Sequence, residues 1–561
     1  MVASDDIVKM GSPPSPSEKM AYGDAETTVL ESQVHPSQPL EDHEEHGLQK
    51  SLKPRHLIFI SIGACIGTGI FLGVGGALKN GGPLGLLIGY SIIASIVVAV
   101  MLMVCELTTF LPVSGGHIRL AGRFVDPALS AAMGWNYLIC WTLILAAELS
   151  AAAVLVSYWI PTSQINPAVW IAIGSVVTLG LNAFSAGVYG EAEFWFASIK
   201  VVTIIGLILV SIFITSSGGP NGESIGFKYW KDPGPFVQFR GIEGTTGRFL
   251  GFFSVLTQAS FSMIGAEMLA LAAAECRNPR RVLPICLRTV WIRIVFFYVV
   301  SVLMVGLIVP SNNPRLGTES TAAASPYVIA IQTARIRVLP HIINGAIITS
   351  ALSAGCSDLY TTSRALYSLA QKKQAPKIFK RTTRNGVPHY AVAVCWLVGC
   401  LAYLGSSAGS GQVFNFLVNL TALSGILTWF SIAITYLRFR AGMKAQSIPR
   451  STLPWKSPLS LFAAYWTLLV IGIVLVFSGW EVFRPGKWNS ASFFSNYLPL
   501  MWFPASYFGF KFMWKTKVIS VKDMDFVTGI KEIEEDMRRC DEEDEANKPT
   551  TTMGKIVKYF E

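Results

Sequence analysis

Apolar positions in this chain gather into long runs, and the charged positions fall in the short stretches between them. A helix that crosses a bilayer needs about 20 mostly apolar residues. Twelve such runs can be placed, near 57–78, 85–111, 125–160, 168–188, 193–216, 250–275, 284–309, 340–371, 388–405, 411–437, 459–481 and 492–514. The pattern predicts an all-α membrane protein with twelve transmembrane helices, filling one domain at 51–515. Residues 1–50, with "SPPSPSE" and "EDHEEH", read as a disordered tail without apolar residues enough for a core, and no cleavable signal sequence is expected there. Residues 516–561 read as an acidic C-terminal tail.

Composition agrees. The 561 residues are 52% hydrophobic and 14% charged, against about 25% charged in soluble domains. The net charge of +10 is unevenly laid out, with ten acidic and three basic residues in 1–50 but 33 basic and 13 acidic in 51–514. These basic residues lie in separate short loops, which is not a nucleic-acid footprint. "RNPRR" at 277–281, "QKKQAPKIFKRTTR" at 371–384 and "RFRAGMKAQSIPR" at 438–450 fall on one side of a twelve-span chain, while "PTSQINP" and "GSSAGSG" on the other carry no charge. The positive-inside bias then places both termini in the cytoplasm. The nine cysteines include no C-x-x-C pair and no metal-ligand spacing, so they read as small packing residues, and neither a metal nor a cofactor is expected.

Two spans carry a built-in weakness. "SIGACIGTGIFLG", Ser61 to Gly73, holds four glycines in thirteen positions, each costing about 0.8–1.0 kcal/mol of helix propensity relative to alanine. A helix loosened inside a membrane leaves backbone groups unpaired, which is tolerable only where the break faces protein or a polar cavity. Matching breaks in two halves of a chain mark the binding site in inverted-repeat membrane proteins. The sixth span supplies the partner, "FSMIGAEMLALAAAE", in which Glu267 follows Gly265 and Ala266. A carboxylate there costs about 2.5–3.5 kcal/mol to insert and is usually functional.

The stretch "LKPRHLIFISIGACIGTGIFLGVGGALKNGGPLGLLIGY" resembles the opening of the fungal amino-acid permeases, the yeast amino acid transporter family of the amino acid–polyamine–organocation superfamily. The resemblance continues through "GRFVDPALSAAMGWNY", "AAELSAAAVLVSYW", "GEAEFWFASIKVVTIIGLI", "GAEMLALAAAECRNPRRVLP" and "SDLYTTSRALYSLA", covering about 53–515. It implies a LeuT-type 5+5 inverted repeat plus two C-terminal helices, and proton-coupled amino-acid import across the plasma membrane. It further implies that Ile66, Gly67, Thr68 and Gly69 bind the substrate carboxylate, that Phe261, Ser262 and Ile264 offer carbonyls to its amino group, and that Glu148 faces the pocket. Lys200 would stand where sodium-coupled relatives hold a sodium ion. Lys200 and Glu267 would carry the proton, Glu267 lying close to the substrate. Thr421 and Ser424 match positions that tune side-chain selectivity, although their hydroxyls can equally bond back to their own helix. Glu106, and Asp358 with Arg364, read as gate or packing groups rather than ligand contacts.

Where many relatives have an aromatic-Gln-Gly-Thr-Glu run in the sixth span, this chain has Met263-Ile264-Gly265-Ala266-Glu267. The change makes the pocket less polar and points to a neutral, bulky substrate side chain. A non-transporting amino-acid sensor and a transporter of a related amine or polyamine are the alternatives; an intramembrane enzyme is not expected. Lys9, Lys19 and Lys50 beside the acidic runs are candidate sites of ubiquitin attachment, which would add ligase adaptors to the partners.

Overall fold

The computed structural model describes residues 66–113, 115–217, 222, 224–268, 271, 280, 283–284, 294–316 and 325–546, and every regular element among them is helical. The N-terminal tail with its lysines, residues 57–65, Cys65, Cys276, Cys286 and most of "RNPRR" lie outside the described residues. A π-helical turn, Gly69–Gly73, leads into α1, Val74–Phe110, which breaks at Gly82 before Pro83. Then follow α2 (Gly116–Phe124), α3 (Pro127–Val156), α4 (Pro167–Asn182), α5 (Ala186–Ser217) and α6 (Gly244–Met263). The π turn Ile294–Val300 continues as α7 (Ser301–Ile308). The chain goes on through α8 (Leu339–Gln371), α9 (His389–Gly399), α10 (Ser410–Ala445), α11 (Ser460–Phe477), α12 (Ser490–Trp514) and α13 (Ile530–Ala546).

Helix thus occupies most of the described part of each apolar run. Six of these helices are long and apolar enough to cross a membrane by length and composition. Their starts are set by local chemistry. Asp126 and Asn166 each accept a bond at 2.9 Å from the amide two residues on, with proline at the first helical position of α3 and α4. That combination satisfies one of the amides a helix start leaves unpaired.

Helices α3 and α10 form the centre, with α3 packed against α8 and α10, and α1 against α6. Helix α5 is amphipathic in the inverted sense. Trp195, Val202 and Leu209, seven residues apart, are 67%, 70% and 61% exposed, while Glu193 and Lys200 on the opposite face are each 1% exposed. In water this would be inside out. In lipid, apolar groups gain nothing by hiding and ionisable groups must.

Beyond α12 the chain folds back under the bundle. Ile519 N–H donates to Val125 O at 2.9 Å, Gln446 Nε2 donates to Met524 O at 2.7 Å, and Arg438 donates to Ile519 O. Phe526 is fully buried, its ring 6.2, 5.2 and 5.7 Å from those of Phe110, Phe124 and Phe439. Arg123 donates to Asp525 O at 2.7 Å, and Glu534 of α13 pairs with Arg280 at 3.5 Å.

Candidate functional site

Both weak spans are broken where the glycines stand. Ahead of the π turn, Ile66, Gly67 and Thr68 are not helical, and Thr68 O accepts from the amides of Phe71 and Leu72 at 3.2 and 2.8 Å. Gly69 and Ile70 open the helix, where amides lack an intrahelical acceptor, and neither of their N–H groups has an acceptor among the described residues. The facing break begins where α6 ends. Ile264 is extended (φ −58°, ψ 143°) and Gly265 has φ 116°, a conformation that favours glycine.

Side chains from neighbouring helices hold the breaks open. Glu148 Oε1 on α3 accepts from Thr68 N and from Thr68 Oγ1, both at 3.1 Å, and Ser350 Oγ on α8 donates to Ile66 O at 3.2 Å. Across the gap, Gly265 N–H and Trp429 Nε1 donate to Glu267 Oε2 at 3.3 and 3.1 Å. Tyr90 OH lies 2.9 Å from Ser262 Oγ. The two breaks approach closely: a Cβ on Gly69 would sit 2.7 Å from Ser262 Cα, and one on Gly67 only 2.6 Å from Glu148 Oε1. The glycines therefore serve two purposes, loosening the helix and admitting these neighbours.

Between the breaks lies a small cavity. Gly67 and Gly69 line it from the first break, and Phe261, Ser262 and Ile264 from α6 and its end. Trp141, Ile144 and Glu148 line it from α3, and Ala354 and Asp358 from α8. The lining residues bring five apolar side chains, one hydroxyl and two carboxylates, and no basic side chain. Glu148 Oε2, Asp358 Oδ2 and Trp141 Nε1 are buried without a hydrogen-bond partner among the described residues.

Six of the expected residues, Gly67, Gly69, Glu148, Phe261, Ser262 and Ile264, line this one space, and Ile66 and Thr68 lie beside it in the same break. Others are placed elsewhere. Glu267 is 1% exposed and is not a lining residue; its Oε2 ties the α6 break to α10. Thr421 and Ser424 do not line the cavity, their hydroxyls donating back to Leu417 O and Leu420 O at 2.7 and 3.1 Å. Their carbonyls accept from Cys140 and Asn136 of α3, so they join α10 to α3. Lys200 is buried, with its ammonium 3.8 Å from Glu193 Oε1, and it also feels the charges of Glu148 and Asp358. Glu193 in turn accepts from Ser353 Oγ at 3.0 and 2.9 Å on its two oxygens.

Asp358 corrects the sequence reading, for it lines the cavity rather than pairing with Arg364. The Arg364 guanidinium lies 3.3 Å from the Tyr360 ring centroid. Six residues on a helix span 1.7 turns, so positions 358 and 364 face different ways. Glu193 was missed as well, although it stands two turns before Lys200 on the buried stripe of α5.

The sequence pattern of the family described as "Amino acid permease" matches residues 56–522. The chain is 40% identical to the "Proline-specific permease" of Emericella nidulans over 94% of its length and 95% of that protein's. It is 39% identical to the "Proline-specific permease" of Saccharomyces cerevisiae over 89% of this chain and 82% of that one. To the "Dicarboxylic amino acid permease" of the same yeast it is 38% identical, over 91% and 85%.

Proposed function

The chain belongs to the amino acid permease family, and from that premise we propose that it is a proton-coupled importer of compact neutral amino acids, proline foremost. It would act in the plasma membrane, with twelve crossings, a LeuT-type 5+5 repeat plus two helices, and both termini cytoplasmic. The observation that carries the substrate class is the lining of the cavity. A zwitterion needs a positive and a negative pole. The amides of Gly69 and Ile70, at the start of a helix and without an acceptor among the described residues, supply a positive pole suited to a carboxylate. Beyond the poles, Trp141, Ile144, Phe261, Ile264 and Ala354 offer apolar surface. An acidic substrate side chain would meet no cation there, and a bulky one little room. The relatives named for proline fit this reading, and the pole for a carboxylate favours an amino acid over an amine.

Proton coupling is placed on Lys200, whose ammonium is buried beside Glu193 and within the fields of Glu148 and Asp358. Glu267 is the weaker candidate, since Gly265 and Trp429 already occupy one of its oxygens. The test is uptake of labelled L-proline by permease-deficient cells expressing the chain, with and without a protonophore. Accumulation that collapses with the gradient, and that neutral amino acids compete away, supports the proposal. Uptake of arginine or aspartate with none of proline, alanine or leucine overturns the substrate class. No uptake by chain shown at the cell surface would favour the sensor.

A further inference from the structure

Two carboxylates line the cavity, and they are not equivalent. Glu148 is already committed: its Oε1 holds Thr68 by amide and hydroxyl, so it maintains the break in the first span. For Asp358 the described residues show no such duty. Its Oδ2 is buried, and its carboxylate accepts no hydrogen bond from any described residue. Buried polar atoms in folded proteins almost always have a partner, and a charged one left alone is the costliest case. A carboxylate that lines a cavity and has no donor among the described residues is therefore open to a donor brought by the bound molecule.

We propose that Asp358 on α8 is the specificity-determining residue that receives the ammonium group of the substrate, opposite the Gly69–Ile70 amides that receive its carboxylate. The inference rests on the function proposed above and deepens it. Three features of the fold make the assignment. Ala354, one turn earlier, carries only a methyl group and leaves the approach to Asp358 open. Ser353 and Ser357, on the neighbouring face of α8, are turned to Glu193 and Tyr189. They therefore do not quench Asp358. Lys200, a buried cation whose charge acts on Asp358, has its ammonium 3.8 Å from Glu193. The sixth-span carbonyls expected to take the amino group would be auxiliary, because a neutral carbonyl discriminates less between an amine and a carbon in its place than a carboxylate does.

The test compares L-proline with cyclopentanecarboxylate, the same ring with carbon where proline carries its ammonium. Binding of each to the purified full-length chain is measured by calorimetry, in the wild type and in Asp358→Asn. The wild type should prefer L-proline strongly. Asp358→Asn should weaken L-proline by about 10- to 100-fold, the range expected for loss of a hydrogen bond to a charged group, and leave cyclopentanecarboxylate within about threefold. Asp358→Ser, smaller and uncharged, should do the same, and it carries the test if the asparagine variant does not fold. Preserved preference for L-proline in either folded variant overturns the assignment to Asp358 alone. Equal weakening of both compounds also overturns it, since that marks a structural role. A wild-type chain that binds neither L-proline nor L-alanine removes the function proposed above and this inference with it.

Discussion

Glu106 and Asp358 are both carboxylates buried on apolar helices, at 0% and 2% exposure, yet their surroundings are opposite. Around Glu106, at the end of α1, Tyr436 OH donates at 3.0 Å, Ser457 N–H at 2.7 Å, Arg440 at 3.2 Å and Arg450 at 2.9 Å. These groups come from α10 and from the connection to α11, so one side chain knots three parts of the bundle together. Around Asp358 the described residues bring in no donor. Burial alone would have ranked the two alike. Satisfaction separates them: a carboxylate that the fold has answered on every side is architecture, and one left unanswered beside a cavity is a place for something else to bind.

The largest expected effect attacks the knot. Glu106→Ala leaves Arg440 and Arg450 without their shared counter-charge, and breaking such a buried arrangement costs about 3–5 kcal/mol. Surface expression and the thermal midpoint of the purified chain should both fall sharply; a variant that melts like the wild type would dissolve the distinction. Gly69→Ala comes next. Its Cβ would meet Ser262 Cα at 2.7 Å, a clash with backbone that cannot rotate aside, costing about 1–3 kcal/mol of overpacking. Uptake should drop more than tenfold and stability moderately.

Glu148→Gln keeps an oxygen for Thr68 and removes the charge. Uptake should fall about tenfold or more while the thermal midpoint stays within a degree or two, equivalent to under about 1 kcal/mol. A large loss of stability would move Glu148 to the structural side of the comparison. The smallest effect lies outside the bundle, at Asp525. Burial would raise its carboxyl, but the Arg123 guanidinium and the Thr528 and Val527 amides outweigh that and hold it below the ordinary 3.8. A depressed carboxylate stabilises the fold above its unfolded pKa and loses that contribution as pH falls through the folded value. The wild type should therefore exceed Asp525→Asn in thermal midpoint above about pH 4, and the gap should close in more acid buffer. The pair is partly exposed, so the gap should be under about 1 kcal/mol.

Much of this was legible in the chain. The apolar runs located the helices because a membrane helix must be both long and apolar, and the gap between the first two runs falls at the Gly82–Pro83 break. The glycines of "GTG" and the Gly265–Ala266–Glu267 run located both breaks, since loosened backbone needs a residue cause. What the sequence could not convey was direction across the bundle. Thr421, Ser424 and Glu267 are polar groups in apolar helices, just as Asp358 is, and only the packing tells which of them meets its own helix, which a neighbour and which the cavity. Trp141, Ile144 and Ala354 had no signal of their own, because apolar residues in a membrane span look alike whether they face lipid, protein or substrate.

Phe526 sets a condition on how the molecule is made. Its ring fills the space between Phe110 of α1, Phe124 of α2 and Phe439 of α10, elements from both ends of the bundle's chain order. A ribosome delivers Phe526 only after every apolar run has left the exit tunnel, so this aromatic nest stays unfilled until synthesis is nearly done. A nascent chain cut short before that residue would keep an open apolar patch of the kind that invites association. The final link in the fold is thus also a mark of completion: a full-length product is distinguishable from a truncated one by whether that nest is closed.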